Sequence, residues 1–198
     1  MIHTATEGEL TILTLDRPDK ANALTAAMLA ELCRAVQAAQ DSSALILTGN
    51  GRVFSAGADL ADVGRLATSP LWEELSTAIA DHPGLTIAAL NGTLAGGAMG
   101  MALACDMRIA VPGARFFYPV MKMGVRPQPS DPPRLVALCG PARAKSLLLG
   151  AQKWTAEQAL TYGLIEEVAD DPVAAARAMA TAALQADADH VRDLKSLF

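Results

Sequence analysis

The sequence has little of several residue types on which common kinds of protein site depend. Aromatic residues make up 4% of the 198 residues, and there are three histidines and three cysteines. No His, Cys, Asp or Glu residues are grouped at metal-ligand spacing, so we predict no metal site. None of His3, His82 and His190 lies beside a nucleophile, and all three are expected at the surface. The sequence therefore indicates no nucleophilic triad.

Positive charge is also scarce. The chain has 16 Lys and Arg residues against 21 Asp and Glu residues, which gives a formal net charge of −5. A protein that binds nucleic acid through its phosphates needs a basic surface, so we predict no nucleic-acid partner. A small anionic ligand remains compatible with this balance if a few arginines and lysines surround it.

The cysteines and the start of the chain favour the cytoplasm. Cys33, Cys105 and Cys139 are odd in number and lie in apolar surroundings, which predicts buried, reduced thiols. No basic region followed by an apolar core opens the sequence, so no secretory signal is visible.

Apolar residues are abundant, and one segment has no charge at all. Residues 84–105 are long enough to cross a bilayer and space Gly92, Gly96 and Gly100 four residues apart. Against a membrane span, Asn91-Gly92 is a strong turn dipeptide, and "LTIAAL" before it is typical of a short buried strand. We therefore expect no membrane partner, with a spanning helix as the weaker alternative.

Short apolar runs alternate with segments of helical spacing, which indicates an α/β fold. We predict one core unit over residues 1–170 and a short helical segment over 171–198. Thr155 and Gln158 have the spacing of a helix capping box, and Gly163 is placed to end that helix. The predicted strands and helices are, in order, a strand in "LTILTLDRP", a helix through Leu29, Leu32, Cys33 and Val36, a strand in "ALILTG", a helix from about Ala58, a helix in "PLWEELSTAIADH", the strand "LTIAAL", a helix from about Gly97, the strands "MRIAV" and "LIEEV", and alanine-rich final helices.

The glycines at residues 96, 97 and 100 need a physical reason, since glycine within a helix costs roughly 1 kcal/mol relative to alanine. One reason is close packing of the helix against a neighbour. The other is the approach of a ligand oxygen to free backbone N–H groups. The earlier loop "SAGADL" has a similar character, so two such turns could meet on one carbonyl oxygen and form an oxyanion hole. Both readings remain open from composition alone.

Five motifs occur together in order along the chain. They are "LDRPDKANAL" (15–24), "ALILTGNGRVFSAGADL" (44–60), "IAALNGTLAGGAMGMALACDMRIAV" (87–111), "KMGVRPQP" (122–129) and "LLLGAQKWTAEQALTYGLIEEV" (147–168). Their order and spacing resemble those of the crotonase superfamily, the enoyl-CoA hydratases and isomerases, over residues 10 to about 170. The resemblance implies a spiral of repeated ββα units that binds an acyl-CoA or enoyl-CoA thioester, polarises its carbonyl and stabilises an enolate.

The resemblance assigns roles to individual residues. It implies that the backbone amides of Ala58 and Gly97 form the oxyanion hole. It implies no cofactor beyond the coenzyme A moiety of the substrate. For the charged residues among the coenzyme contacts, the alternative is an ordinary solvated surface charge. The positions that match coenzyme contacts are Arg17, Lys20, Ala21, Arg52 and Ala56.

The sequence also departs from the family pattern. The two positions at which hydratases carry glutamates are Gly100 and Val120, and a further acidic site of some members falls near Gln128. None of these three can exchange a proton. Asp131 is the candidate acid, with the start of a helix as its alternative role. Tyr118 is the other polar group expected near the acyl chain, with a buried strand position as its alternative.

These features together predict a crotonase-type lyase or isomerase in fatty-acid or other acyl-CoA metabolism, without the hydratase glutamate pair. The alternative is a non-catalytic acyl-CoA binding protein or an assembly partner of an active homologue. The chain stops before the further helices of most family members, which predicts a more open pocket. Members of the family assemble from trimers, so a homotrimer or homohexamer is expected.

Overall fold

The computed structural model describes residues 1–198 and contains ten strands in two sheets. Residues 96–98 and 18–20 form short 3₁₀ turns. The strands are β1 Ile2–Glu7, β2 Leu10–Leu15, β3 Ala44–Gly49, β4 Val53–Ser55, β5 Leu85–Leu90, β6 Thr93–Ala95, β7 Met107–Ala110, β8 Arg115–Phe117, β9 Trp154–Thr155 and β10 Glu167–Val168. The helices are α1 Ala26–Ala38, α2 Val63–Leu66, α3 Leu71–Ala80, α4 Met99–Ala104, α5 Val120–Met123, α6 Asp131–Cys139, α7 Pro141–Leu148, α8 Ala156–Tyr162, α9 Pro172–Gln185 and α10 Ala188–Lys195.

The larger sheet has the order β1-β2-β3-β5-β7-β10 and is covered on both faces. Strand β1 pairs antiparallel with β2, and the remaining pairs are parallel. Within β3, Leu45 and Leu47 join the main core, while Ala44 and Ile46 face the opposite side. Burial of both faces explains why these strands are continuous apolar runs in the sequence.

The smaller sheet has the order β4-β6-β8-β9 and takes one strand from each turn of a spiral. After each of β3, β5 and β7 the chain adds a short strand to the smaller sheet and then enters a helical segment. Strands β4, β6 and β8 are parallel to one another. The predicted α/β fold of repeated ββα units is confirmed.

The end of the chain packs on the free face of the larger sheet. Ala176 and Ala180 of α9 are fully buried against the apolar residues of that face. The boundary predicted at residue 170 falls between β10 and α9. Alanine allows the helix to approach the strands closely, which is the physical use of the alanine-rich sequence there.

The predicted capping box is present at the start of α8. The Gln158 amide N–H donates to Thr155 Oγ1 at 3.2 Å, and the Thr155 N–H donates to Gln158 Oε1 at 3.0 Å. Gly163 ends the helix in the left-handed conformation. The strand predicted in "LIEEV" is only two residues long.

The helix predicted from Ala58 is wrong, because strand-like pairing holds this segment. The Leu24 N–H donates to Gly57 O at 2.7 Å, and the Asp59 N–H donates to Leu24 O at 2.9 Å. Ala58 is thereby bridged in parallel to Leu24, and the helix α2 begins only at Val63.

Residues 84–105 fold as a strand, a turn, a second strand and a short helix. Every helix in the structure is too short or too polar to span a bilayer. Asn91 shapes the turn, since its Oδ1 accepts from the Gly49 N–H at 3.0 Å and its Nδ2 donates to Gly51 O at 2.9 Å.

The surface position predicted for His82 is also wrong, whereas the three cysteines are buried as predicted. His82 is 1% exposed, and its Nε2 lies 2.8 Å from Ala39 O while its Nδ1 accepts from the Gly84 N–H at 3.0 Å. Burial lowers the pKa of the His82 imidazole. The ring joins a helix end to a strand start, a contact between distant segments that the local turn sequence does not reveal.

Candidate active site

Two glycine turns meet backbone to backbone at the carboxyl ends of β4 and β6. Gly57 has φ of +91° and Gly96 has φ of +59°, a region that side-chain-bearing residues rarely adopt. A Cβ on Gly57 would lie 2.9 Å from Ala95 O and 3.3 Å from the backbone nitrogen of Gly97. Only glycine therefore permits the two turns to approach this closely.

The backbone amides of Ala58 and Gly97 are left free by this arrangement. The Leu24 backbone is hydrogen-bonded to the Gly57 carbonyl and to the Asp59 N–H. The Ala58 N–H between them therefore points away from Leu24 and has no acceptor in the protein. Gly97 is the second residue of the 3₁₀ turn Gly96–Ala98, where N–H groups have no acceptor within the helix. Both residues line the same cavity. Two residues with potential backbone hydrogen-bond donors thus border one space.

The cavity has a volume of about 170 Å³ and apolar walls. None of its lining residues is an aspartate or a glutamate. The Trp72 indole N–H already has an acceptor, since Nε1 donates to Leu66 O at 3.0 Å. The lining residues with polar side-chain atoms are Trp72, Tyr118, Arg126 and Gln128.

Asn22 holds the segments around the first turn in place. It is fully buried with φ of +51°. Its Oδ1 accepts from the Arg17 N–H at 2.8 Å, and its Nδ2 donates to Asn50 O at 2.9 Å and Val53 O at 2.8 Å. Sequence reasoning missed this role. The available signal was that asparagine tolerates the left-handed conformation better than other residues with side chains.

Ser55 connects Asn22 to the first glycine turn. Its hydroxyl donates to Asn22 O at 2.8 Å and accepts from the Gly57 N–H at 3.2 Å. The Gly57 N–H is therefore fixed by a hydrogen bond, which helps to orient the next peptide, the one that carries the free Ala58 N–H.

The residues that match coenzyme contacts lie along two adjoining segments, 17–21 and 52–56. The Ala56 N–H donates to Ala21 O at 3.0 Å, which joins the two segments directly. The Lys20 and Arg52 side chains are exposed. The structure thus brings these residues together beside the first glycine turn.

Arg17 has a different environment from Lys20 and Arg52. Its Nη1 lies 2.5 Å from Asp59 Oδ2 and donates to Ala23 O at 3.0 Å, and the Arg17 and Asp59 side chains are 17% and 14% exposed. The Ala61 N–H and then Arg17 hold the pKa of the Asp59 carboxyl below its usual value. Arg17 therefore braces the chain just after Ala58 rather than projecting freely toward a phosphate.

A buried carboxylate lies one hydrogen bond behind the cavity wall. Asp131 is fully buried at the first position of α6 and does not line the cavity. Tyr118, which follows β8 and does line the cavity, donates its hydroxyl to Asp131 Oδ2 at 2.7 Å. The two polar candidates from the sequence are thus brought into direct contact.

Burial sets the protonation of this pair. It raises the pKa of Asp131 to about 6, with a further increase from Glu73 and opposing effects from the Tyr118 hydroxyl and Arg134. Burial and the neighbouring Asp131 also raise the pKa of Tyr118 well above its usual value. Asp131 is therefore a stronger base than an exposed aspartate, while Tyr118 keeps its proton at neutral pH.

The positions at which the sequence departs from the family pattern differ in their surroundings. Val120 and Gln128 line the cavity, whereas Gly100 lies behind the wall beside Asp131. A Cβ on Gly100 would lie 2.8 Å from Asp131 Oδ1 and 2.9 Å from Ser76 Oγ. Ser76 was not anticipated, because it lies on α3 and meets Gly100 only in the folded chain.

Comparison with known proteins agrees with this architecture. A family model described as "Enoyl-CoA hydratase/isomerase" matches residues 5–198. The chain is 38% identical over 168 residues to the "Probable enoyl-CoA hydratase echA6" of Mycobacterium tuberculosis (strain CDC 1551 / Oshkosh), with 83% of this chain and 69% of the relative covered.

Solved structures show the same fold. Pseudomonas aeruginosa DspI superposes with a TM-score of 0.91 at 31% identity, covering 99% of this chain and 85% of that one. The enoyl-CoA hydratase from Bacillus halodurans superposes with a TM-score of 0.90 at 28% identity, covering 99% and 85%. The chain belongs to the enoyl-CoA hydratase/isomerase family and has the crotonase fold.

Proposed function

We propose that the protein binds an acyl-CoA or enoyl-CoA thioester with its carbonyl oxygen between the Ala58 and Gly97 amides, and stabilises the enolate formed from it. The observation that carries this proposal is that Ala58 and Gly97, whose N–H groups have no acceptor in the protein, both line one apolar cavity. Each preorganised donor of this kind is typically worth about 3–4 kcal/mol when negative charge develops on the oxygen.

The size of the cavity suits the reacting end of such a ligand. Its volume of about 170 Å³ is below the ~300–1,000 Å³ of sites that enclose a whole drug-sized ligand. The acyl group would lie inside, and the coenzyme would extend over the 17–21 and 52–56 segments. Lys20 and Arg52 are the exposed cations there that can meet its phosphates, while Arg17 supports the turn through Asp59.

The reaction proposed is an isomerase or lyase step of acyl-CoA metabolism that proceeds through the enolate. Hydration by a pair of cavity glutamates is not proposed, since Gly100 and Val120 occupy those positions. The absence of any carboxylate from the cavity wall also favours a second candidate, a non-catalytic acyl-CoA binding protein or the partner of an active homologue. Turnover of enoyl-CoA substrates separates the two candidates.

Substitution of Gly97 tests the site without knowledge of the reaction. A Cβ on Gly97 would lie 3.1 Å from the Trp72 ring, so valine there must displace either the ring or the turn that carries the amide. We expect Gly97→Val to weaken butyryl-CoA binding, measured by titration calorimetry, by about 10-fold, since a hydrogen bond to the neutral thioester carbonyl is worth roughly 0.5–1.5 kcal/mol.

Gly113→Val is the matched control, because a Cβ on Gly113 meets nothing within 4 Å. It should bind butyryl-CoA like the unmodified protein. Circular dichroism establishes that both variants are folded, and Gly97→Ala is the milder alternative if the valine variant is not. Undiminished binding by a folded Gly97→Val variant would place the site elsewhere.

We also propose that the chain forms a homotrimer or homohexamer. Met121, Met123 and Leu149 are 54%, 50% and 59% exposed, and Met121 and Leu149 line one surface cleft. Apolar residues grouped at a surface favour an interface between protein chains. Multi-angle light scattering should give three or six times the chain mass of 20.6 kDa, and a monomer at micromolar concentration would contradict this.

A further inference from the structure

Two buried polar atoms behind the cavity have no hydrogen-bond partner. They are Asp131 Oδ1 and Ser76 Oγ, in side chains that are 0% and 1% exposed. An unsatisfied buried polar atom typically costs about 1–3 kcal/mol, more for a charged group. A carboxylate kept there is therefore unfavourable for stability, and its presence calls for another role.

Capping of helix α6 does not account for Asp131. The carboxylate is at the first helical position, and the N-cap residue, Ser130, makes no side-chain cap bond. Asp131 accepts no backbone N–H of the helix through its side chain and accepts instead from Tyr118. The carboxylate is directed away from the helix it begins and toward the cavity wall.

Gly100 is what makes room for this carboxylate. A Cβ at residue 100 would approach Asp131 Oδ1 to 2.8 Å and Ser76 Oγ to 2.9 Å, closer than real Cβ atoms come to other heavy atoms. The acid that is missing from residue 100 is thus replaced in space by an acid from residue 131. Tyr118, at the cavity surface, connects it to the ligand space.

We propose that Tyr118 is a catalytic residue that exchanges a proton with the α carbon of the bound thioester, and that Asp131 is its positioning residue and final proton acceptor. This proposal rests on the proposed function, since it needs the thioester in the cavity. It assigns the proton chemistry to a relay of two residues that replaces the family's glutamates.

The relay balances without any further reactant. The α carbon gives its proton to the Tyr118 oxygen, while the Tyr118 hydroxyl gives its own proton to Asp131 Oδ2. The electron pair of the broken C–H bond moves into the enolate, whose oxygen is held by the Ala58 and Gly97 amides. The reverse transfer returns the proton to carbon and restores the carboxylate.

The surroundings of Tyr118 and Asp131 favour Tyr118 as the proton carrier and Asp131 as the final acceptor. Burial brings the pKa of Asp131 to about 6, and proton acceptors work best near the working pH. Tyr118 alone cannot serve as the base, because burial raises the pKa of its hydroxyl and so keeps it protonated at neutral pH. The charged neighbours have fixed roles, since Glu73 accepts from the Ser130 hydroxyl at 3.1 Å and Arg134 donates to the same hydroxyl at 2.9 Å.

Exchange of the α protons of butyryl-CoA in deuterated water tests the relay, with mass spectrometry as the readout. We expect the unmodified protein to incorporate deuterium and Tyr118→Phe to do so at least about 100-fold more slowly, the usual loss of a general acid–base group. Butyryl-CoA binding, measured by calorimetry on the same samples, should change by less than about 3-fold, a modest loss by the usual affinity arithmetic. Tyr162→Phe is the control, since Tyr162 packs edge to face against Trp154 and does not line the cavity.

Asp131→Asn provides the readout that a merely structural aspartate would not change. The amide keeps the shape and can accept from Tyr118, but it cannot take up a proton. Exchange by the unmodified protein should rise with pH through about 6 as Asp131 ionises, and Asp131→Asn should lose both the rate and this rise.

The outcomes separate the relay from the proposed function. If the unmodified protein binds butyryl-CoA but does not exchange its α protons, the relay is overturned and thioester binding stands. The same holds if the exchange rate does not depend on Tyr118. Exchange by both variants within about 3-fold of the parent also overturns it. If the unmodified protein does not bind butyryl-CoA, the proposed function fails and the relay fails with it. Circular dichroism checks each variant, and a folded Tyr118→Phe suffices if Asp131→Asn does not fold.

Discussion

Gly97 and Gly100 lie three residues apart in one short helical segment, and their surroundings differ. Gly97 belongs to a backbone site, in which a turn from residues 56–58 and a turn from residues 95–97 approach each other and leave amides free. Gly100 belongs to a side-chain site, in which the carboxylate of Asp131 fills the space that a side chain at residue 100 would need. The backbone site follows from local sequence, whereas the side-chain site depends on a residue 31 positions further along the chain.

The difference has a functional consequence. The proposed function assigns the binding of a carbonyl oxygen to the Ala58 and Gly97 amides. Gly100 and Val120 carry no acid that could move a proton. Substitutions in each site show how far the backbone site and the side-chain site act independently.

The largest expected effect concerns hydration of crotonyl-CoA. Each missing general acid–base group contributes about 10²–10⁴-fold, so hydration should be at least about four orders of magnitude slower than that of the Bacillus halodurans hydratase assayed in parallel. The measurement is the loss of enoyl-thioester absorbance after addition of protein. Rapid loss with the unmodified chain would show that another residue supplies the hydration chemistry.

Grafting the acids sharpens this prediction. Gly100→Glu with Val120→Glu places a new carboxylate against Asp131 Oδ1, since even a Cβ there would lie 2.8 Å from it. We expect this double variant to be poorly folded, and the addition of Asp131→Ala to restore folding and raise the hydration rate. Equal stability of the double and triple variants would argue against the assigned position of Asp131.

The next effect is the pH dependence of stability caused by Asp131. Its folded pKa of about 6 lies above the usual value of 3.8, so the unfolded chain ionises first as pH rises. The free energy of unfolding should therefore fall between about pH 4 and 6 and level off above, by up to about 3 kcal/mol for this group. The Asp131→Asn variant has no carboxyl at this position, so its free energy of unfolding should not show this decrease.

Urea unfolding of both proteins from pH 4 to 7 measures the effect as a difference, in which all other titrating groups cancel. The advantage of Asp131→Asn over the parent should grow up to about pH 6 and then remain constant. A difference independent of pH would mean that Asp131 is not buried as a carboxylate.

Gly100→Ala should destabilise the protein by about 1–3 kcal/mol, the usual cost of overpacking. The added methyl group meets Asp131 and Ser76, so combination with Asp131→Ala should relieve most of the loss. Gly64→Ala is the control, because a Cβ there meets nothing within 4 Å. Additive effects of the Gly100 and Asp131 substitutions would show that the two positions do not touch.

The smallest effect is expected from Arg17. Arg17→Met leaves the half-buried Asp59 carboxylate without its ion pair just after Ala58. Butyryl-CoA affinity should fall by about 3- to 10-fold, since loss of such a pair costs roughly 1 kcal/mol or slightly more. Arg177→Met, which breaks the exposed pair with Glu7, is the control. A strong dependence of the Arg17 effect on salt would instead indicate direct contact with phosphate.

Several features could be predicted because their causes lie within a few residues of one another. The apolar strand "ALILTG", the capping box of Thr155 and Gln158, and the close approach at Gly96–Gly97 each follow from local pattern or from the steric freedom of glycine. The helix predicted from Ala58 was wrong because pairing with Leu24, 34 positions earlier, competes with local helix propensity.

The sequence by itself thus determined the α/β order of the chain, its family and the two turns that carry Ala58 and Gly97, because main-chain geometry follows from short motifs. The tertiary structure alone decided that His82 is buried, that Arg17 pairs with Asp59 and that Asp131 meets Tyr118 and Gly100. Those contacts join segments far apart in sequence, and whether a carboxylate is solvated or buried depends on what the rest of the fold places around it.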